Sequence, residues 1–377
     1  MASKYTPFLN IGPGEFIKEE LETRNWKQED LAEILGMSLK SVNKIIMNKQ
    51  ALTTGTAKLL SRVFGQSPQY WMNLDTNYRL RLQKEDSKER DVEIKASVFN
   101  YMPFKEMSEK GWITESRRAK ELENEVKQFW NIPDLDFSFM EKRTALNFRK
   151  SRAYDQFNKY YALTWFHMAQ QCAKTYSAET YRKVGLQNIA GRFSDYTVEE
   201  KGIQRLLGDL NSAGVKFFVL SHLQKTYIDG ASFLDKSNPV IVFTGRHNRN
   251  DNFWFTMAHE IGHVLLHLKK KGDFFIDNLD EIDIEDKEQA ADKLAEKMIR
   301  VQEILKFFKP FKKYISKERV LSCARDLNLG PEIVVGVLQH HKILSPRNLN
   351  NFKSQILRNI PDKYLVEKHL DKVRRAA

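Results

Sequence analysis

The pentapeptide His259-Glu260-Ile261-Gly262-His263 constrains this chain more than any other stretch. On a helix, positions i and i+4 share a face, so both imidazoles can reach one Zn²⁺ ion. Glu260 stands beside that face, where it can take a proton from a water activated by the metal. The flanking run FTMAHEIGHVLLH is apolar, so a buried helix is predicted from about Asn252 to Leu268. Gly262 permits close packing where a larger side chain would clash.

A catalytic zinc needs a third protein ligand and an open position. EDKEQAADKLAEKMI reads as a second helix, from about Glu285 to Arg300, and offers Glu288 with Asp292 one turn later. That spacing suits a carboxylate ligand followed by an acid that orients a ligating histidine. Glu285 is the rival ligand, on nearly the same face. His267 is one turn beyond His263 and reads as a surface or supporting residue rather than a ligand. His222 and Tyr227 lie in the same half but read as structural, which leaves the oxyanion without an assigned partner. GVKFFVL (214–220) and PVIVF (239–243) are short apolar runs, hence predicted strands ahead of the metal helix.

The N-terminal part has a different pattern. GEFIKEELETRNW supplies an amphipathic helix with Phe16, Ile17 and Leu21 on one face. KQEDLAEILG follows, with Leu31, Ala32, Ile34 and Leu35 read as inward and Gly36 as its stop. Ser38 caps a third helix, SLKSVNKIIMNK, with Val42, Ile45 and Ile46 inward. Two short helices joined by a glycine turn have the spacing of a helix-turn-helix. The outward residues Ser38, Leu39, Lys40, Ser41, Asn43 and Lys44 suit contact with base edges and phosphates, and the Gln28 amide suits a phosphate. From Lys40 to Leu74 there are five basic residues and no acid, whereas residues 15 to 33 carry seven acids, which should face away from DNA. One such domain reads only a few base pairs, so a homodimer on a palindromic operator is expected.

Between these parts the chain reads as mostly helical and rich in aromatic residues. Phe157, Tyr161, Leu163, Trp165 and Met168 are read as a core or a dimer surface. The expected fold is mainly α with a small β-sheet. It divides into a helix-turn-helix bundle (1–82), a linker and helical middle region (83–200), a metallopeptidase core (201–305) and a basic helical end (306–377). Lys and Arg number 61 against 49 acids, which agrees with a polyanionic partner. Two cysteines form neither a disulfide framework nor a thiolate zinc site, and no run approaches the roughly 18 apolar residues of a spanning helix. The start carries no signal region, so a cytoplasmic location with no membrane partner is expected.

Two resemblances follow from these residues. GPGEFIKEELETRNWKQEDLAEILGMSLKSVNKIIMNKQALTTGTAKLLSRVFGQSPQYWMNLDTNYRL resembles the HigA-type antitoxins of the Xre helix-turn-helix superfamily. This implies operator binding, autorepression and neutralisation of a protein toxin. KTYIDGASFLDKSNPVIVFTGRHNRNDNFWFTMAHEIGHVLLH and EQAADKLAEKMI resemble the ImmA/IrrE zinc metallopeptidases. There the upstream run is the strand pair leading to the active helix, Glu288 stands at the usual ligand position, and Asp292 replaces a common Asn. FRKSRAY…YYALTWFHMA looks like what precedes this domain in fused members. MIRVQEI departs from the apolar stretch ending Met-Pro that often follows. The resemblance implies a zincin-like domain that cleaves a protein, such as a repressor or a toxin. The alternative is a non-enzymatic antitoxin and autorepressor with a structural or vestigial zinc.

Overall fold

The computed structural model describes residues 10–82, 87–147, 156–269, 274–276, 282–311, 314–371 and 373. Accordingly the FRKSRAY stretch (148–154), the first half of the charge run at 83–91, and Arg374 and Arg375 lie outside the described residues. The chain divides into two compact units, Met1–Val92 and Glu93–Ala377.

Among the described residues the first unit contains the helices α1 (Pro13–Arg24), α2 (Gln28–Leu35), α3 (Leu39–Ile46), α4 (Thr54–Phe64) and α5 (Pro68–Leu82), and the start of another, Ser87–Tyr101. Local signals set most of the ends. Gly36 and Gly65 close α2 and α4 in the left-handed conformation, which costs glycine nothing. The Ser38 and Thr53 hydroxyls accept from the N–H groups of Ser41 and Thr56. Ile17, Leu31, Val42, Ile46, Leu60 and Trp71 form the centre of the core. Ile34 is a correction to the expected inward face, since it is 48% exposed. The stripe on α2 is centred between Leu31, Ala32 and Leu35, and Ile34 is turned about 110° from that centre. Asp75 is buried, accepts from the Leu52 N–H at 3.0 Å and pairs with Arg79 on the next turn. It ties the loop before α4 to α5.

In the second unit a four-stranded sheet has helices over both faces. The strands are β1 (Lys216–Val219), β2 (Gly230–Asp235), β3 (Asn238–Phe243) and β4 (Phe274–Ile276), in the order β1-β3-β2-β4. β1 runs parallel to β3, while β2 is antiparallel to both β3 and β4. Side chains alternate across each strand. Phe217, Val219, Ile241 and Phe243 enter a core built with the helices Asn250–Leu266, Ile282–Met298 and Pro331–His340. Phe218, Ala231, Phe233, Val240 and Val242 enter a second core with the helix Lys159–Ala173. Burial on both faces is why β1 and β3 read as unbroken apolar runs. The middle region as far as Ala173 thus covers one sheet face, with Leu163, Trp165 and Met168 buried in it, while its last part (Leu186, Ile189, Phe193 and Tyr196) packs in the core on the other face. The helical end expected of the chain extends to His340; between Asn350 and Lys368 the described residues form short 3-10 turns, and Pro361, with no N–H to donate, interrupts any longer helix there. No helix among the described residues is long and apolar enough to cross a membrane.

Candidate metal centre and DNA-binding helix

The helix Asn250–Leu266 is buried along most of its length and carries His259, Glu260 and His263 at 6%, 0% and 1% exposure. It crosses the helix Ile282–Met298 at close range. A Cβ on Gly262 would lie 3.1 Å from the Ala291 carbonyl oxygen, so the small residue sets how near the two helices come. That approach places Glu288 opposite both histidines. Its carboxylate oxygens stand 3.2 Å from His259 Nε2 and 3.2 Å from His263 Nε2, and the two Nε2 atoms are 2.9 Å apart. Among the described residues these three form the one group whose donor atoms converge as metal ligands do. The side chain of Glu285 lies outside the described residues. His267 is not in the converging group.

Asp292 takes the place its spacing predicts. Its Oδ1 accepts from His259 Nδ1 at 2.8 Å. With that proton given to Asp292, His259 Nε2 presents a bare lone pair. It faces the second imidazole nitrogen and a carboxylate. Burial pushes the Glu288 carboxyl up, but hydrogen bonds to His259 and His263 together outweigh it and hold the group down at about 2. Burial also keeps His263 below the ordinary imidazole value, in the neutral form that binds metals. Lone pairs this close repel unless a cation sits among them, and two imidazoles with one carboxylate are a zinc donor set. The residues present therefore fit a zinc ion.

Glu260 packs against the sheet rather than among the three donors. A Cβ on Gly230, the first residue of β2, would lie 2.5 Å from Glu260 Oε1. Gly230 and Ser232 are on the sheet face towards this helix, since Ala231 and Phe233 point into the other core. No local pattern announces Gly230, because its role depends on a helix 30 residues away in the chain.

In the first unit α2, the Gly36 turn and α3 form the helix-turn-helix. On α3, Leu39, Lys40, Asn43 and Lys44 are exposed and Ser41 is half-buried, while Val42, Ile45 and Ile46 fill the core. Asn43 Nδ2 donates to Gln28 Oε1 at 3.1 Å and joins the start of α2 to the middle of α3. The Ser38 hydroxyl is 2.9 Å from that of Ser41 and accepts from its backbone N–H, so Ser38 is engaged in capping. That engagement was legible in the cap signal; the Gln28–Asn43 link was not, because it joins side chains 15 positions apart.

Comparison with known proteins adds to this geometry. Residues 17–71 match the helix-turn-helix family, and residues 211–336 match the family of the IrrE N-terminal-like domain, a peptidase family. Virulence-associated protein I of Dichelobacter nodosus is 33% identical over 89 residues, 23% of this chain and 82% of that protein. An uncharacterised HTH-type transcriptional regulator of Haemophilus influenzae is 37% identical over 68 residues, 18% of this chain and 64% of that protein. The uncharacterised HTH-type transcriptional regulator YddM of Escherichia coli is 34% identical over 68 residues, 18% of this chain and 72% of that protein.

Proposed function

We infer that this chain, which belongs to the helix-turn-helix regulators and carries an IrrE N-terminal-like peptidase domain, is a DNA-binding regulator whose second unit is a zinc-dependent endopeptidase acting on a regulatory protein. We assign residues 1–82 to operator recognition and 201–305 to the peptidase core, with the helices to residue 336 completing its packing. The observation that carries the reading is the convergence of His259, His263 and Glu288 beside a fully buried Glu260. A site built only to hold structure has no use for that carboxylate.

When bound, zinc supplies Lewis-acid activation of water and of the scissile carbonyl. The rest is work for the protein. His259, held by Asp292, and His263 keep their lone pairs on the metal side. Glu260 takes the proton from the attacking water and passes one to the leaving amine. In the first unit Lys40 and Lys44 contact phosphates, and Leu39, Ser41 and Asn43 reach base edges. Gln28, its oxygen engaged by Asn43, donates to a phosphate through its NH₂. Two copies bind a palindromic operator. The substrate is a repressor or a toxin, and through its likeness to HigA-type antitoxins the first unit represses its own operon.

The test is a count of new protein N-termini in the host, comparing wild type with Glu260→Gln before and after DNA damage. A few termini dependent on Glu260 establish a selective peptidase and name its substrate. Identical sets under both conditions leave a DNA-binding protein with a structural metal site.

A further inference from the structure

We propose that His267 is a positioning residue for the metal centre: it accepts the Nδ1 proton of His263 and so fixes that ligand's tautomer and ring orientation. This rests on the reading of His259, His263 and Glu288 as zinc ligands.

His263 Nδ1 lies 3.2 Å from His267 Nδ1, while its Nε2 faces the converging donors. An imidazole that offers Nε2 to a cation carries its proton on Nδ1. His263 is 1% exposed, so that N–H must be met by a protein acceptor. His267 meets it with an Nδ1 lone pair, which places its own proton on Nε2. His267 stands at the C-cap, one residue past the helix end, and its backbone N–H donates to the His263 carbonyl at 2.8 Å. Backbone and ring thus both anchor it to the ligand it serves.

Phe275, in β4, completes the arrangement. Its ring stacks on His263 at 4.5 Å and 11°, and meets His267 at 5.4 Å and 46°. The face of His263 is clamped by Phe275 and its edge by His267, so rotation about the ring axis is blocked from two directions. His259 is held differently, by the Asp292 carboxylate and by Phe255 stacked at 6.3 Å. The two histidine ligands therefore have unlike supports, one anionic and one neutral. His267 cannot join the donors itself while it bonds the far nitrogen of His263.

The experiment uses full-length protein carrying His267→Asn, His267→Phe or His267→Ala. Zinc affinity is read by competition with a chromophoric chelator, and thermal melts of the zinc-free proteins report folding. Phe retains the ring packing but has no acceptor; Asn retains an acceptor oxygen but loses the ring. Phe and Ala are expected to weaken zinc binding by about 10- to 100-fold, as loss of an outer partner does, while Asn stays well above both. A Phe variant that holds zinc as tightly as wild type, or an Asn variant that falls as far as Phe, overturns the proposal and leaves His267 a packing residue. His263→Ala is measured beside them. If it binds zinc as wild type does, the ligand reading itself fails; if it loses zinc while His267→Phe does not, only the role of His267 fails.

Discussion

Replacing Gly230 with alanine puts one carbon into the space between β2 and the metal helix. That carbon would stand 2.5 Å from Glu260 Oε1 and 2.7 Å from Thr256 Cγ2. The first gap is about 0.9 Å short of ordinary van der Waals contact. Both neighbours are buried, Glu260 at 0% and Thr256 at 3% exposure, so any retreat moves them within the packed interior. β2 is held between β3 and β4 and cannot swing away without breaking a ladder. The backbone at Gly230 is ordinary strand, so the cost falls on packing rather than on the conformation of the new residue. Overpacking of this kind costs about 1–3 kcal/mol of stability. Its effect on rate is of similar size in free energy: a base displaced by nearly 1 Å loses about 100-fold, or about 2.7 kcal/mol. The atoms nearest the added carbon belong to Glu260 and Thr256 rather than to His259, His263 or Glu288, so zinc affinity should stay at the wild-type level. The assay is cleavage of the substrate identified by its new N-terminus, with zinc competition and a melt on the same samples. A single substitution should lower kcat about 100-fold, and the same change in a Glu260→Gln background should add little. Full activity in Gly230→Ala, or losses that simply add in the double variant, would refute the placement of Glu260 as the base.

Other expectations are equally specific. Lys40→Ala with Lys44→Ala should weaken operator binding and reduce the slope of log affinity against log salt by about 0.9 per lost phosphate contact; an unchanged slope in a salt titration removes α3 from the interface. Glu288→Ala should lower zinc occupancy, measured by metal analysis of the full chain, and unchanged occupancy would move the third ligand elsewhere. Glu332 is buried beside Trp254, whose Nε1 donates to it at 3.1 Å. Burial pushes its carboxyl up, so the folded state prefers the protonated form. Its contribution is present below the ordinary glutamate value and declines as pH rises from there through the raised one. Glu332→Gln keeps an acceptor for Trp254 without the charge, so wild type should lose stability relative to the variant as pH rises from the ordinary glutamate value through the raised one. Parallel denaturation curves across that range would show that the carboxyl does not ionise at a cost.

The helix of the candidate metal site was legible because its information is local: two histidines one turn apart, a glutamate between them and an apolar surround. The caps of the first unit were legible for the same reason, since Ser38 and Gly36 act on backbone atoms a few residues away. β1 and β3 announced themselves as apolar runs because both sides of each are buried. β2, with glycine, serine and aspartate in six residues, has little strand signal and was reached only through the family resemblance. β4 is three residues long and was not foreseen; it owes its place to pairing with β2. Ile34 shows the limit of reading periodicity on an eight-residue helix, where one apolar residue more or less does not define the stripe.

The spacing of residues within single helices determined which groups could act together: His259 with His263, and Glu288 with Asp292. Those pairings follow from the 3.6-residue turn and hold wherever the helices lie. Tertiary structure decided which pairs meet. The close crossing at Gly262 and Ala291 brings Glu288 to both imidazoles and Asp292 to His259, the absence of a side chain at Gly230 leaves room for Glu260, and β4 supplies Phe275 to the back of His263. Such contacts join different elements, with partners 12 to 33 positions apart in the chain. Their energies come from packing complementarity, which no local rule of the chain encodes.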